Sequence, residues 1–359
     1  MPLTNSPATF PGSSGRFDNG LDEKGNGVNS YGDGNFGCPL DEVKGFDVPT
    51  DHFFIRSNGP VPIIDAKDWR LKVDGLVERP VNLSLADLRQ LPARTLNAFL
   101  ECAGNGRTRF DPPTDGTPWK NDAIGNATWE GVALRDVLDL AGIKPETREI
   151  VSQGGDFATM NRGLPIDVAL DADTLLVFGM NGESLTPEHG APARLFVPGW
   201  AGISSTKWLV SLTAIDRVWD GFYNVQNYVL FDEGGSPIRP VTTMPVKSTI
   251  ATPVEGAVLS PGKAIVTGFA WSGDAAIDRV EVSTDGGAAY STAQIVAASG
   301  PRAWVKFQFP WDAAPGAYRL RSRAYDRAGN VQPEQAFWNL KGYQMNGILE
   351  VGVRVADVQ

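Results

Sequence analysis

Only two cysteines and two histidines occur in 359 residues. Cys38 and Cys102 allow one disulfide by arithmetic and exclude a disulfide framework. There is no Cys-x-x-Cys pair, which excludes thiol-rich metal sites and a Cys-x-x-Cys-His haem attachment. No apolar run reaches 18 residues, so no transmembrane helix is expected. The start of the chain shows no charged-then-apolar leader, and a mature chain that has lost one reads the same way. Positive charge is also short. Lys and Arg number 32 against 42 Asp and Glu, and the net charge of −10 argues against a nucleic-acid surface. No dinucleotide fingerprint or carboxylate pair stands out.

What is present suits a folded globular protein. Apolar residues make up 42% and charged residues 21%, the balance of a soluble globular chain. Forty glycines and 26 prolines favour turns and strands over long helices. The length favours two domains. Residues 1–45, rich in Gly, Asn, Ser and Asp, read as an irregular surface-hugging arm. Cys38 within it reads as an incidental thiol. Residues 46–240 hold a thiol, a set of cations and a histidine as candidates for chemistry. Residues 241–359 show short alternating strands, as in Ala264–Trp271, Ile277–Ser283, Ala303–Phe309 and Tyr318–Tyr325, and suggest an all-β Ig-like sandwich.

The central stretch is Phe-Leu-Glu-Cys-Ala-Gly-Asn-Gly-Arg, residues 99–107. An apolar strand delivers Cys102 to a glycine-rich turn that ends on Arg107. A thiolate there suits a soft metal or a nucleophile, and a nearby guanidinium favours its ionised form. A buried, inert cysteine fits the same pattern. Arg56 follows an apolar-aromatic segment expected to be a strand, and reads as a structural anchor or an anion clamp. The spacing predicts a strand over Trp69–Gly75, a helix over Leu83–Leu91 capped by Ser84, and a helix over Val132–Leu140 ending at Gly142. A Pro-rich loop carries Trp119 and Trp129. Asn181-Gly182 marks a hairpin. His189 and Arg194 flank a further strand. The Gly-Ser-Thr loop 199–206 leads to Lys207 and suits an oxyanion or phosphate without matching a P-loop. Tyr223 and Tyr228 lie in an aromatic, amide-rich loop.

Four segments together resemble the sulfite oxidase family of molybdenum enzymes: Phe53–Pro62, Cys102–Arg107, His189–Leu209 and Trp338–Gly342. The resemblance covers most of the chain. It implies an α+β molybdopterin-binding domain followed by the Ig-like sandwich as a dimerisation domain, and hence a two-fold homodimer. It implies molybdenum with molybdopterin, with Cys102 as the metal ligand. His189, Arg194 and Lys207 would hold the pterin and phosphate, with Ser204, Ser205 and Thr206 adding hydroxyl and N–H donors. Arg56, Arg107, Tyr228 and Lys341 would line the substrate pocket.

The implied reaction is oxygen-atom transfer that converts sulfite to sulfate. No haem is expected in this chain, so electrons would leave to an external acceptor such as a c-type cytochrome or oxygen. The resemblance suggests a periplasmic location, and the visible N-terminus, if native, a cytoplasmic one. The sequence departs from the animal enzymes at Asn58, where they have histidine. Gly106-Arg107 stands where they have Arg-Arg, and Lys341 where they have arginine. Lysine keeps the charge and loses the planar fork, which leaves room for nitrate, a sulfoxide or a sulfur-chain intermediate as substrate. Two other classes remain open: a thiol hydrolase using Cys102 with His189, and a binding protein with an Ig-like module.

Overall fold

The computed structural model describes residues 13–17 and 27–357, so most of the first half of the expected arm lies outside the described residues. Strand Ser13–Phe17 pairs with Pro62–Ile64, and Asn29–Ser30 pairs with Phe36–Gly37. Cys38 is buried among apolar side chains.

Two sheets make up the first part. One has five strands in the order Asn161–Pro165, Glu149–Gly154, Leu209–Ile215, Leu71–Gly75 and Val81–Leu83. Its central pair, Leu209–Ile215 with Leu71–Gly75, is parallel. The other sheet runs Glu183–Ser184, Leu175–Met180, Ile124–Ala133 and Ala93–Glu101, with Arg194–Phe196 also on Leu175–Met180. Helix Leu134–Ala141 buries Leu134, Val137, Leu138 and Ala141 and stops at Gly142, whose φ of 69° suits a left-handed cap. Helix Leu85–Leu88 is one turn long and starts on a capping box in which Ser84 and Asp87 satisfy each other's backbone N–H.

The second part is a sandwich of two sheets. One orders Lys247–Thr252, Gly262–Trp271, Val305–Ala313 and Gln294–Ala298. The other orders Val258–Leu259, Glu350–Val355, Gly316–Asp326, Ile277–Ser283 and Ser291–Thr292. Alternation along the strands turns Val266, Phe307, Val280, Val282, Leu320 and Val353 inward to a common core. A different apolar cluster crosses between the parts and contains Phe53, Phe99, Trp129, Phe196, Phe269, Trp271 and Trp304. Polar contacts reinforce it. Trp304 Nε1 donates to the Phe46 carbonyl at 2.9 Å, and Arg302 pairs with Asp171 and Asp173.

Three local expectations differ from the structure. The helix expected over Leu83–Leu91 is the single turn Leu85–Leu88, because Leu83 belongs to strand Val81–Leu83. Phe53–Ile55 is not a strand. The Phe53 N–H closes a turn onto Pro49 O, and Ile55 makes only an isolated bridge to Phe36. Trp129 lies inside strand Ile124–Ala133, stacked on Phe196, rather than in the proline loop.

Candidate functional site

Cys102 sits one residue past strand Ala93–Glu101. Its N–H donates to Ala123 O at 2.9 Å, and its carbonyl accepts the Asn105 N–H at 2.9 Å. The turn needs two glycines. A Cβ on Gly104 would lie 2.4 Å from Arg107 Nη2, and Gly106 has a φ of 83°. Cys102 is 7% exposed. Burial pushes its thiol up, while Arg56, the Gly104 N–H and Arg107 pull it down. Burial prevails in the metal-free chain, and Arg56 rather than Arg107 is the stronger stabilising cation.

Two recesses share Arg56, Cys102 and Tyr228 in their walls. The inner one is lined by His189, Arg194, Ser205, Thr206 and Lys207, together with Asp156 and Trp208. The outer one, of about 200 Å³, is lined by Arg107, Lys341, Asn227, Tyr343, Trp119 and Asp115. The structure therefore brings ten of the eleven expected site residues to two joined recesses. Ser204 lines neither, although its hydroxyl is buried without a hydrogen-bond partner.

The inner recess sets the cations Arg56, Arg194 and Lys207 against two carboxylates, Asp156 and Glu188. Arg194 is buried, and burial lowers its pKa to about 9. Two of its nitrogens donate to the carbonyls of His189 and Ser205 at 2.9 Å each, and its Nε has no hydrogen-bond partner. Burial, and then the charge of Arg194, hold Lys207 well below its usual value. Lys207 Nζ donates to Ser57 Oγ at 2.6 Å and to Glu188 O at 2.9 Å. His189 Nε2 lies 3.1 Å from Thr50 O.

Asp156, which no sequence pattern singled out, is 4% exposed with one oxygen lacking a hydrogen-bond partner. Burial pushes its carboxyl up to about 7. The Ser205 hydroxyl accepts the Val197 N–H, which leaves its own proton to donate, and the Thr206 hydroxyl pairs with Ser152 Oγ at 2.8 Å. Buried cations with a spare N–H, beside an acceptor with a spare oxygen, fit a group that carries both anionic oxygens and ring N–H donors, as a phosphate-bearing pterin does.

The outer recess has three cations in its wall, Arg56, Arg107 and Lys341. Arg56 donates from Nη2 to Asn58 Oδ1 at 2.6 Å, and from Nη1 to Asn35 Oδ1 and the Ser57 carbonyl. Arg107 donates from Nε to Lys341 O at 3.1 Å and from Nη1 to Thr117 O at 2.6 Å. It thereby ties segment 338–345 to the loop at 111–117. The Tyr228 hydroxyl lies 3.5 Å from the Asn58 side chain. Tyr228 has a φ of 53°, which is uncommon for a bulky residue. Tyr343, one residue beyond the Trp338–Gly342 segment, was not anticipated from the sequence. No group of three or more His, Cys, Asp or Glu side chains that could hold a metal ion occurs among the described residues.

Residues 58–223 match the sequence family described as "Oxidoreductase molybdopterin binding domain". Residues 239–356 match the "Mo-co oxidoreductase dimerisation domain". The chain is 34% identical to the sulfite oxidase of Arabidopsis thaliana over 84% of its own length and 86% of that protein. It is 35% identical to the sulfite oxidase of Gallus gallus over 83% of its own length and 71% of that protein. Among solved structures it is similar to the sulfane dehydrogenase SoxCD of Paracoccus pantotrophus, with a TM-score of 0.84 and 32% identity. That match covers 89% of this chain and 84% of the other.

Proposed function

The chain belongs to the sulfite oxidase family of molybdenum oxidoreductases, and from that premise we propose that it oxidises sulfite to sulfate at the junction of the two recesses. One observation carries the reading: Cys102 stands where a cation-lined inner recess meets an outer recess walled by Arg56, Arg107 and Lys341.

In this reading Cys102 holds the metal through its thiolate. His189, Arg194 and Lys207 hold the pterin and its phosphate by charge-assisted hydrogen bonds, and the spare Asp156 oxygen accepts from the pterin ring. When bound, the molybdenum cofactor supplies the transferable oxygen and takes up two electrons. The chain's own part is electrostatic. At a net charge of −10, an oxyanion enters only through a local positive field. Arg56 sits beside Cys102 and supplies that field. Its guanidinium is held in place by Asn35, Asn58 and Ser57, so little reorganisation is needed when the anion arrives. Lys341 adds a further positive charge to the wall of the outer recess, and Tyr228 offers a hydroxyl donor there. Electrons then leave to an external acceptor, a c-type cytochrome or oxygen. The match of residues 239–356 to a dimerisation domain supports a two-fold homodimer.

A substrate panel on the holoenzyme tests the reaction. Sulfite with ferricyanide as acceptor should give turnover, while nitrate or a sulfoxide with reduced viologen as donor should give little. Turnover on nitrate or a sulfoxide without sulfite oxidation would replace this reading.

A further inference from the structure

We propose that Tyr343 is a positioning residue of the anion pocket, contributed from the end of the chain, which fixes Tyr228 and Arg107 on either side of itself. The proposal rests on the sulfite-site reading above.

Four contacts carry it. The Tyr343 ring stacks on Tyr228, with centroids 5.3 Å apart and an angle of 9° between the rings. The Arg107 guanidinium lies over the Tyr343 ring at 5.4 Å. The Tyr343 hydroxyl donates to Asn227 Oδ1 at 2.7 Å. That same oxygen accepts the Tyr228 N–H at 3.0 Å. One ring thus touches two residues of the pocket, and its hydroxyl shares an acceptor with the backbone of one of them.

Tyr228 needs this support. Its φ of 53° places a bulky side chain in the left-handed region, which persists only where the surroundings over-determine it. The shared Asn227 oxygen fixes the backbone, and the Tyr343 ring fixes the side chain. Tyr343 is itself tightly set. Its N–H donates to Asn339 Oδ1 at 3.0 Å, and its carbonyl accepts from Asn339 Nδ2 at 2.8 Å. The next residue, Gln344, donates its N–H to Ala103 O at 2.8 Å, directly beside Cys102. Tyr343 is therefore registered against the Cys102 loop by backbone and against Tyr228 and Arg107 by side chain. Burial pushes its phenol up, which keeps the hydroxyl a donor. The consequence is an anion pocket in which one ring holds two lining residues, Tyr228 and Arg107, in a fixed relation. Without the ring, Tyr228 is released from its strained conformation and Arg107 loses one face of its support.

Two variants test this in the holoenzyme. Tyr343→Val removes the ring, and Tyr343→Phe removes only the bond to Asn227. Steady-state sulfite kinetics per bound molybdenum are read beside the Kd for sulfate, measured by calorimetry without turnover. Tyr343→Val should raise both the KM for sulfite and the Kd for sulfate about tenfold with kcat within about threefold, because ground-state and transition-state binding are lost together. Tyr343→Phe should raise both by about two- to threefold. Values within experimental error of wild type in both variants, with wild type active on sulfite, would overturn the role of Tyr343. If Tyr343→Val fails to fold or load metal, Tyr343→Phe alone decides by the same two readouts. A wild-type enzyme that binds molybdenum and does not oxidise sulfite would remove the underlying reading, and this proposal with it.

Discussion

Lys247 Nζ lies 3.8 Å from Glu101 Oε1 behind the loop that bears Cys102, with both side chains 1% exposed. Glu101 directly precedes Cys102, and Lys247 begins the first strand of the sandwich, so the pair joins the two parts of the molecule. The carboxylate is well served: Oε1 accepts from Asn105 Nδ2 at 2.9 Å, and Oε2 from Trp271 Nε1 at 2.7 Å. Lys247 has no hydrogen bond of normal length and rests 5.7 Å from the Trp271 ring. Burial pushes the Glu101 carboxyl up and the Lys247 ammonium down, each against its charged form, and each charge partly offsets the effect on the other.

Breaking this pair from one side strands a buried charge. Lys247→Met should destabilise the cofactor-free protein by about 3–5 kcal/mol, while the double variant Glu101→Gln with Lys247→Met should recover more than half of that. Urea unfolding of the four proteins in a double-mutant cycle measures the coupling. Strictly additive losses would mean that the two groups do not act as a pair.

Asp156 predicts a pH dependence with a definite sign. Its carboxyl is raised from 3.8 in the unfolded chain to about 7 in the folded one. Below the lower value both states hold the proton and stability is unaffected. As pH rises through the window, the unfolded chain ionises and the folded chain resists, so stability falls and the loss is complete near the upper value. The cofactor-free protein should lose up to about 4 kcal/mol across that window through this group. Asp156→Asn should remove that part of the slope in urea titrations at several pH values. An unchanged slope would place the proton elsewhere.

Arg56→Gln should raise the KM for sulfite at least tenfold, about 1.4 kcal/mol of lost binding. The effect follows from its position between both recesses and from the three oxygens that hold it. An unchanged KM would remove Arg56 from the anion pocket.

These side chains differ in how far the sequence announces them. Ser84 and Asp87 start a helix through contacts three residues apart, and Gly142 ends one through its own backbone freedom, so both signals are local. The Cys102 turn is local too, since Gly104 and Gly106 are required by atoms within a few residues or by φ. Phe53–Ile55 has strand composition, but neighbouring turns and the single bridge to Phe36 decide its backbone. Ser205 and Thr206 have the chemistry of ligand donors, but that Val197 N–H and Ser152 Oγ lie against their hydroxyls is set by the fold and not by spacing. Asp156, Lys247 and Tyr343 acquire their meaning from partners brought close only by the finished fold. Tyr343 meets Arg107 across 236 positions of sequence, a distance over which no spacing rule operates.

The central claim is that Cys102 holds molybdenum at a sulfite site, and the most direct measurement is metal content with sulfite-dependent ferricyanide reduction, for wild type beside Cys102→Ser. The expected result is about one molybdenum per wild-type chain with turnover, and loss of turnover in Cys102→Ser even where pterin remains bound. Retained sulfite oxidation in Cys102→Ser, or wild-type protein without molybdenum from a host that makes the cofactor, would contradict it.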